Sequence, residues 1–438
     1  MTFKEAVDYF FVQYNSWGRP FLDWLHWIFN SVFEALLVVA VVLSLVYVLM
    51  SLYIFFARRN WKSAPVGGDK LPFVSINLPT YNESVVISCA QKCLELDYPQ
   101  DRYEVIIGDD SSDRSVSDRI DAFAAQHPQV KVCRRPDNSG YKAGNLNNML
   151  KVSRGEILVL FDSDFAPSRD FLRYVVAPFM RDRRVGGVQA KWRFVNAEQN
   201  LVSALGATIV EVFQSITLPF MFRNRKLAFL CGSAEAVRKD ILVSLGGWDH
   251  GNLTEDIEYS LRLIRNGYRI EYLYDVKCDS EVPYVARDLY RQQMRWAYGV
   301  VSSYIKHAGG IFRSRKIGFA DKFMTTMLCS GYLLTILLAS LFLTGFLSVI
   351  THPPAPVDFV RFFEETGRNT LLTSGLVIAS VVACLISSVD LRRLSFIFKM
   401  LISSFSYGLI VAYHVNLGVF KALLGRPMKW YMLTKSGS

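Results

Sequence analysis

Polar and apolar positions divide the chain into stretches of different texture. Residues 32–56, VFEALLVVAVVLSLVYVLMSLYIFF, carry a single charge and are long enough to cross a bilayer as a helix. Trp17, Phe21, Trp24 and Trp27 precede the run, so residues 1–31 read as an interfacial lead-in. Arg58, Arg59 and Lys62 follow it, which predicts a transmembrane helix over 32–57 with the next segment on the cytoplasmic side.

From about 65 to 310 the texture changes. FVSINLPTYNE, YEVIIGDDSSD and GEILVLFDSDF are short apolar runs ending in polar loops, with helix-like stretches between them. That alternation predicts a mostly parallel α/β sheet with ligands at the strand carboxyl ends. Residues 204–222 and 284–305 are amphipathic, the pattern of helices lying along an inner leaflet. Three further apolar runs, near 323–350, 371–391 and 398–424, predict about three transmembrane helices over 318–424. The last contains Lys399, His414 and Asn416, so it either faces other helices or is partly interfacial. Three crossings would leave the basic tail, 425–438, outside the cell, against its charge. One run that does not cross once, or a hairpin within 323–350, would restore the parity.

Composition supports this division. Of 438 residues, 51% are hydrophobic, above the soluble norm. The net charge of +10 comes in short clusters, several of them beside apolar runs. A cytoplasmic membrane surface accounts for them better than nucleic acid, which is not an expected partner. The seven cysteines form no Cys-x-x-Cys pair and no cluster with histidine, which argues against a disulfide framework and a zinc site. The N-terminus lacks the basic and apolar regions of a signal peptide.

Acidic residues mark the chemistry. Asp109, Asp110 and Asp113 follow one strand, Asp162 and Asp164 another, and Glu255 and Asp256 open a helix. Acidic residues at a helix start can be simple caps, and Glu255 alone reads equally well that way. Asp162 and Asp164 repel each other unless a cation lies between them. Mg²⁺ or Mn²⁺, bound through carboxylates and substrate phosphates, is the natural neutraliser. A metal-held diphosphate is a good leaving group for sugar transfer. The acceptor hydroxyl then needs a general base, and Asp256 is the candidate, with Glu255 tuning it. Gln292, Arg295 and Trp296 in QQMRW share one helical face, combining a fork for phosphate oxygens with a flat platform for a pyranose.

The ordered set PTYNE (79–83), DDSSD (109–113), GYKAGNLN (140–147), DSD (162–164), FLCGSAEAVRK (229–239), TED (254–256) and QQMRW (292–296) resembles the inverting, membrane-embedded family 2 glycosyltransferases. Cellulose, hyaluronan and chitin synthases belong there, and KAGN, CGS and QxxRW lean toward the cellulose synthase-like branch. The resemblance implies a GT-A-type, Rossmann-like cytosolic domain combined with transmembrane and amphipathic interface helices. It places Thr80, Tyr81, Glu83, Asp109 and Asp110 at the nucleotide, with Lys142, Asp162, Gln292 and Arg295 also on the nucleotide sugar. Asp162 and Asp164 become the metal carboxylates, and Asp256, with Glu255, the catalytic pair. Cys231, Gly232 and Trp296 fall on the acceptor side, while Trp248, in GGWDHG, reads either as an acceptor-side residue, the preferred reading, or as plain core.

The implied activity is processive transfer of hexose from a nucleotide sugar, UDP-glucose first, to the non-reducing end of a polysaccharide that is passed across the cell membrane. The alternative is a non-processive enzyme making a glycolipid. Expected partners are the donor, a polysaccharide or glycolipid acceptor, the bilayer and accessory export proteins.

Overall fold

The computed structural model describes residues 3–13, 16, 18–58, 61–68, 70–352, 359–387, 394–428 and 431. Expectations for Trp17, Arg59 and most of the 425–438 tail lie outside those residues. The backbone groups into two units, Met1–Ser51 with Leu333–Ala379 and Leu52–Tyr332 with Ser380–Ser438.

In the first unit most of the long helix α1 (Arg19–Ala57) packs with the helix Leu333–Thr351. A Cβ on Gly345 would lie 3.1 Å from the Phe33 ring, so a small residue allows the helices to approach. His26 Nδ1 and the Ser348 carbonyl oxygen are 2.9 Å apart, and the Gly375 amide donates to Ser44 Oγ at 2.7 Å.

The second unit is built on one sheet. Its strands are β1 (Val74–Thr80), β2 (Tyr103–Asp109), β3 (Val130–Cys133), β4 (Ile157–Leu160), β5 (Ala166–Pro167), β6 (Val185–Phe194), β7 (Glu235–Arg238) and β8 (Arg269–Ser280). They lie in the order β3-β2-β1-β4-β7-β6-β8-β5. The first four are parallel, while β7 runs against both its neighbours and β5 against β8. The sheet is therefore mixed, with its parallel half where the three sequence motifs predicted strands. Every residue of β1 and β2 is buried, as expected for strands covered on both faces. Burial opposes the charge of Glu104 on β2, but hydrogen bonds from Lys131, the Arg154 backbone and Ser75 hold its carboxyl down at about 2.

Four helices of this unit position the site: α2 (Tyr141–Val152), α3 (Glu255–Arg265), α4 (Ala286–Arg313) and α5 (Gly408–Leu423). A Cβ on Gly418 of α5 would lie 2.4 Å from the Met294 carbonyl oxygen of α4, so this contact needs glycine.

Among the described residues three helices are long and apolar enough to cross a membrane, and two bent helix pairs raise the number to at most five. One of the three, Leu201–Arg225, is 72% buried within the protein, against 22% for α1 and 11% for Leu333–Thr351. It contains the expected 204–222 segment, interrupted by a π-turn at Phe213–Thr217, and is more enclosed than an amphipathic pattern alone implies.

Candidate active site

Strands β1, β2 and β4 are parallel, so the loops after Thr80, Asp109 and Leu160 gather on one edge of the sheet. A cleft of about 470 Å³ opens there. Thr80, Tyr81, Glu83, Asp110, Lys142, Asp162, Asp164, Cys231, Gly232, Glu255, Asp256, Gln292, Arg295 and Trp296 all line it. Two residues singled out from the sequence do not. Asp109 is buried behind the wall, where Arg134 Nε and the Ser117 hydroxyl donate to it at 2.9 and 2.7 Å. Trp248 is 2% exposed and packs edge-on against Tyr259 in the core; its indole is too enclosed to meet a ligand.

Lys142 occupies the centre. Its Nζ donates to the Gly232 carbonyl at 2.6 Å, to Asp162 at 2.7 Å, and lies 3.3 Å from Glu255. Burial opposes its charge, but Asp162 and Glu255 outweigh that and raise its pKa. Gly232 has φ +85°, and a Cβ there would come within 3.2 Å of Asp256 Oδ2 and 3.4 Å of Lys142 Nζ. Glycine alone lets the backbone reach this cluster. Burial first, and then the adjacent Glu255, push the Asp256 carboxyl up to about 7, against Lys142 and Arg295.

Helix α4 closes one side. Arg295 Nη1 donates to the Leu253 carbonyl at 3.0 Å, tying the QxxRW face to the loop before α3. Just below, a Cβ on Gly299 would meet Thr254 Cγ2 at 2.3 Å. On the opposite side Arg135 forks onto Asp110, Nε to Oδ1 at 2.8 Å and Nη2 to Oδ2 at 2.5 Å. Asn82, Tyr141 and Ala234 have positive φ without being glycine, a concentration of unfavourable backbone typical of functional sites.

The structure adds residues to those found by sequence reasoning. Tyr141, Trp192 and Tyr431 line the cleft. Glu235 lies behind it, fully buried, accepting the Cys231 and Gly232 amides on Oε2 at 3.1 and 2.8 Å. Burial and the nearby Asp256 push its carboxyl up to about 8. A charged residue opening the apolar strand EAVR was its only signal.

Asp162 and Asp164 both face the cleft, and Ser280 Oγ donates to Asp164 at 3.2 Å. Among the described residues no three side chains of His, Cys, Asp or Glu gather as a closed metal site. Two hard carboxylates open to a ligand suit an ion that completes its shell with phosphate oxygens.

Carboxylates and cations thus converge in one cleft at the parallel strand ends of a mixed sheet. The family profile described as "Glycosyltransferase like family 2" matches residues 72–299, more than half of the chain. The chain belongs to this family, and its second unit has the GT-A-type fold. It is 29% identical over 287 residues to the probable glycosyltransferase YdaM of Bacillus subtilis, covering 63% of this chain and 68% of that protein. It is 29% identical over 297 residues to glucomannan 4-beta-mannosyltransferase 2 of Arabidopsis thaliana, covering 64% of this chain and 55% of the relative. A beta-monoglucosyldiacylglycerol synthase of Nostoc sp. is 32% identical over 272 residues, 60% of this chain and 56% of the other. The chain thus spans little more than half the length of two of these relatives. Among solved structures, a mannosyltransferase from Pyrobaculum calidifontis, in complex with GDP-Man and Mn²⁺, superposes with a TM-score of 0.57 at 21% identity, covering 90% of this chain and all of the other. That similarity is one of fold.

Proposed function

We propose that the protein is an inverting β-hexosyltransferase that extends a polysaccharide from a nucleotide sugar at the cytoplasmic face of the cell membrane and moves the product outward. The observation that carries this reading is the meeting of Asp256, Lys142, Asp162, Arg295 and Trp296 around one cleft. Asp256 accepts the proton of the acceptor hydroxyl while that oxygen forms the new bond to the anomeric carbon. The bond from that carbon to the diphosphate breaks, and the nucleoside diphosphate leaves with the electron pair. Lys142 and Arg295 supply positive charge where the diphosphate charge grows. A divalent ion, Mg²⁺ or Mn²⁺, held by Asp162 and Asp164, would neutralise part of that charge. Trp296 offers its face to the acceptor sugar, and Cys231 and Gly232 shape the floor beneath it.

UDP-glucose is the leading donor. GDP-mannose stands beside it because the solved relative holds GDP-Man. A glycolipid product is the second reading, favoured by the beta-monoglucosyldiacylglycerol synthase relative. The test is to incubate purified protein with UDP-glucose, GDP-mannose and UDP-N-acetylglucosamine, with Mg²⁺ or Mn²⁺ and with EDTA. A polymer cut by a linkage-specific glycanase supports the first reading, and a short lipid-extractable product the second. Both fall if the protein binds no nucleotide sugar.

A further inference from the structure

We propose that Tyr141 is the platform on which the base of the nucleotide stacks, an assignment that rests on the transferase reading of the cleft. Tyr141 lines the cleft and is 43% exposed. Its φ is +47°, directly after Gly140 at +68°. An aromatic side chain in the left-handed region is unfavourable, and glycine or asparagine would fit this backbone better. An aromatic ring stands where the local backbone argues against it.

Its surroundings say what it faces. The Tyr141 carbonyl accepts from Arg135 Nη2 at 2.9 Å, the same nitrogen that holds Asp110 Oδ2 at 2.5 Å. The Tyr141 amide donates to the Asn138 carbonyl at 3.0 Å. One guanidinium therefore fixes both the backbone of the tyrosine and a carboxylate able to accept N–H groups from a base edge. The next residue, Lys142, reaches Asp162, where the phosphates are placed. Tyr141 thus shares Arg135 with Asp110 through its backbone, and directly precedes Lys142 in the chain. An exposed aromatic face there matches a planar base, and stacking works for any base because each has a π-face.

The test uses the full chain in detergent with Mg²⁺, titrated with UDP, with GDP and with inorganic pyrophosphate. Tyr141→Gly and Tyr141→Asn should weaken UDP and GDP binding about tenfold and leave pyrophosphate within about twofold, while Tyr141→Phe stays near wild type. The melting temperature of Tyr141→Gly should equal or exceed that of wild type, because the strained backbone is relieved. The proposal is overturned if the Gly and Asn variants bind UDP and GDP like wild type, or if they lose pyrophosphate in the same proportion. Wild-type protein that binds neither nucleotide would instead remove the transferase reading itself.

Discussion

Burial and the neighbouring Glu255 raise the proton affinity of Asp256, the proposed base. An exposed aspartate is too weak a base to take a sugar hydroxyl's proton efficiently, whereas a carboxyl held at about 7 is matched to neutral pH. In the ligand-free enzyme kcat/KM should therefore rise with pH and level off above about 7, and a flat profile between pH 5 and 8 would contradict the assignment. Asp256→Asn should lower transfer by about 10²–10⁴-fold and keep nucleotide binding. Glu235, at about 8, makes a related prediction about stability. Both carboxyls have folded values above the ordinary value of about 4. The unfolded chain therefore gives up these protons first as pH rises. The stability they contribute is complete below about pH 4 and is lost as pH climbs through about 7 and 8. Ligand-free protein should melt at a lower temperature at pH 8.5 than at pH 6. Glu235→Gln can still accept the Cys231 and Gly232 amides through its carbonyl, and should flatten that slope; an unchanged slope would mean that Glu235 is ionised throughout.

At the scale of elements, the site depends on how closely α4 lies against the start of α3. Gly299 touches Thr254, one residue before Glu255 and two before Asp256. Gly299→Ala forces a methyl into the space of the Thr254 side chain and should move the base relative to Lys142. A several-fold or larger drop in kcat with nearly unchanged nucleotide affinity is expected, with a stability cost of about 1–3 kcal/mol. An equal loss of both would place the damage elsewhere. How much of these elements could be read beforehand depended on their length and texture. β1, β2 and β4 stood out as apolar runs ending in acidic loops. β7 is four residues long with a charge at each end, too little for a periodicity to register. QxxRW was legible because helical spacing puts its three side chains on one face. Trp248 was misleading for the opposite reason: a tryptophan among glycines looks the same whether it faces a ligand or Tyr259, and only packing decides. Tyr431 owes its place to Arg291, far away in sequence, and Glu235 to the pairing of β7 with β4 and β6, which no local pattern records.

For the molecule as a whole, Tyr431 bears on how the chain threads the membrane. Its ring lies against the Arg291 guanidinium, 4.8 Å from centroid to carbon, and it lines the same cleft as Asp256. If the apolar stretches after α4 enter a bilayer, the chain must be back on the cleft side by residue 431. A chain that leaves and returns crosses a bilayer an even number of times, although three apolar stretches intervene. The last stretch is the one whose packing argues against a full crossing. It is bent by 57° between Phe396–Ser406 and Gly408–Leu423. Its first half sets Lys399 Nζ on the Glu198 carbonyl at 3.1 Å, and its second presses Gly418 onto Met294. A broken segment held at both halves by the catalytic unit is expected to act as a wall beside the cleft, which would leave two crossings to the preceding stretches. Arg426 is then expected on the same side as the cleft, which the proposed function makes the cytoplasmic side, where its charge is favoured. Cysteines introduced at Arg114, whose side chain is 93% exposed, and at the exposed Arg426 test this directly. Membrane vesicles of each orientation would be treated with an impermeant maleimide, and labelling above that of the unsubstituted protein read out. Both positions should label from the same face. Labelling of Arg426→Cys only from the face opposite Arg114→Cys would require an odd number of crossings, and Tyr431 could not then belong to the cleft.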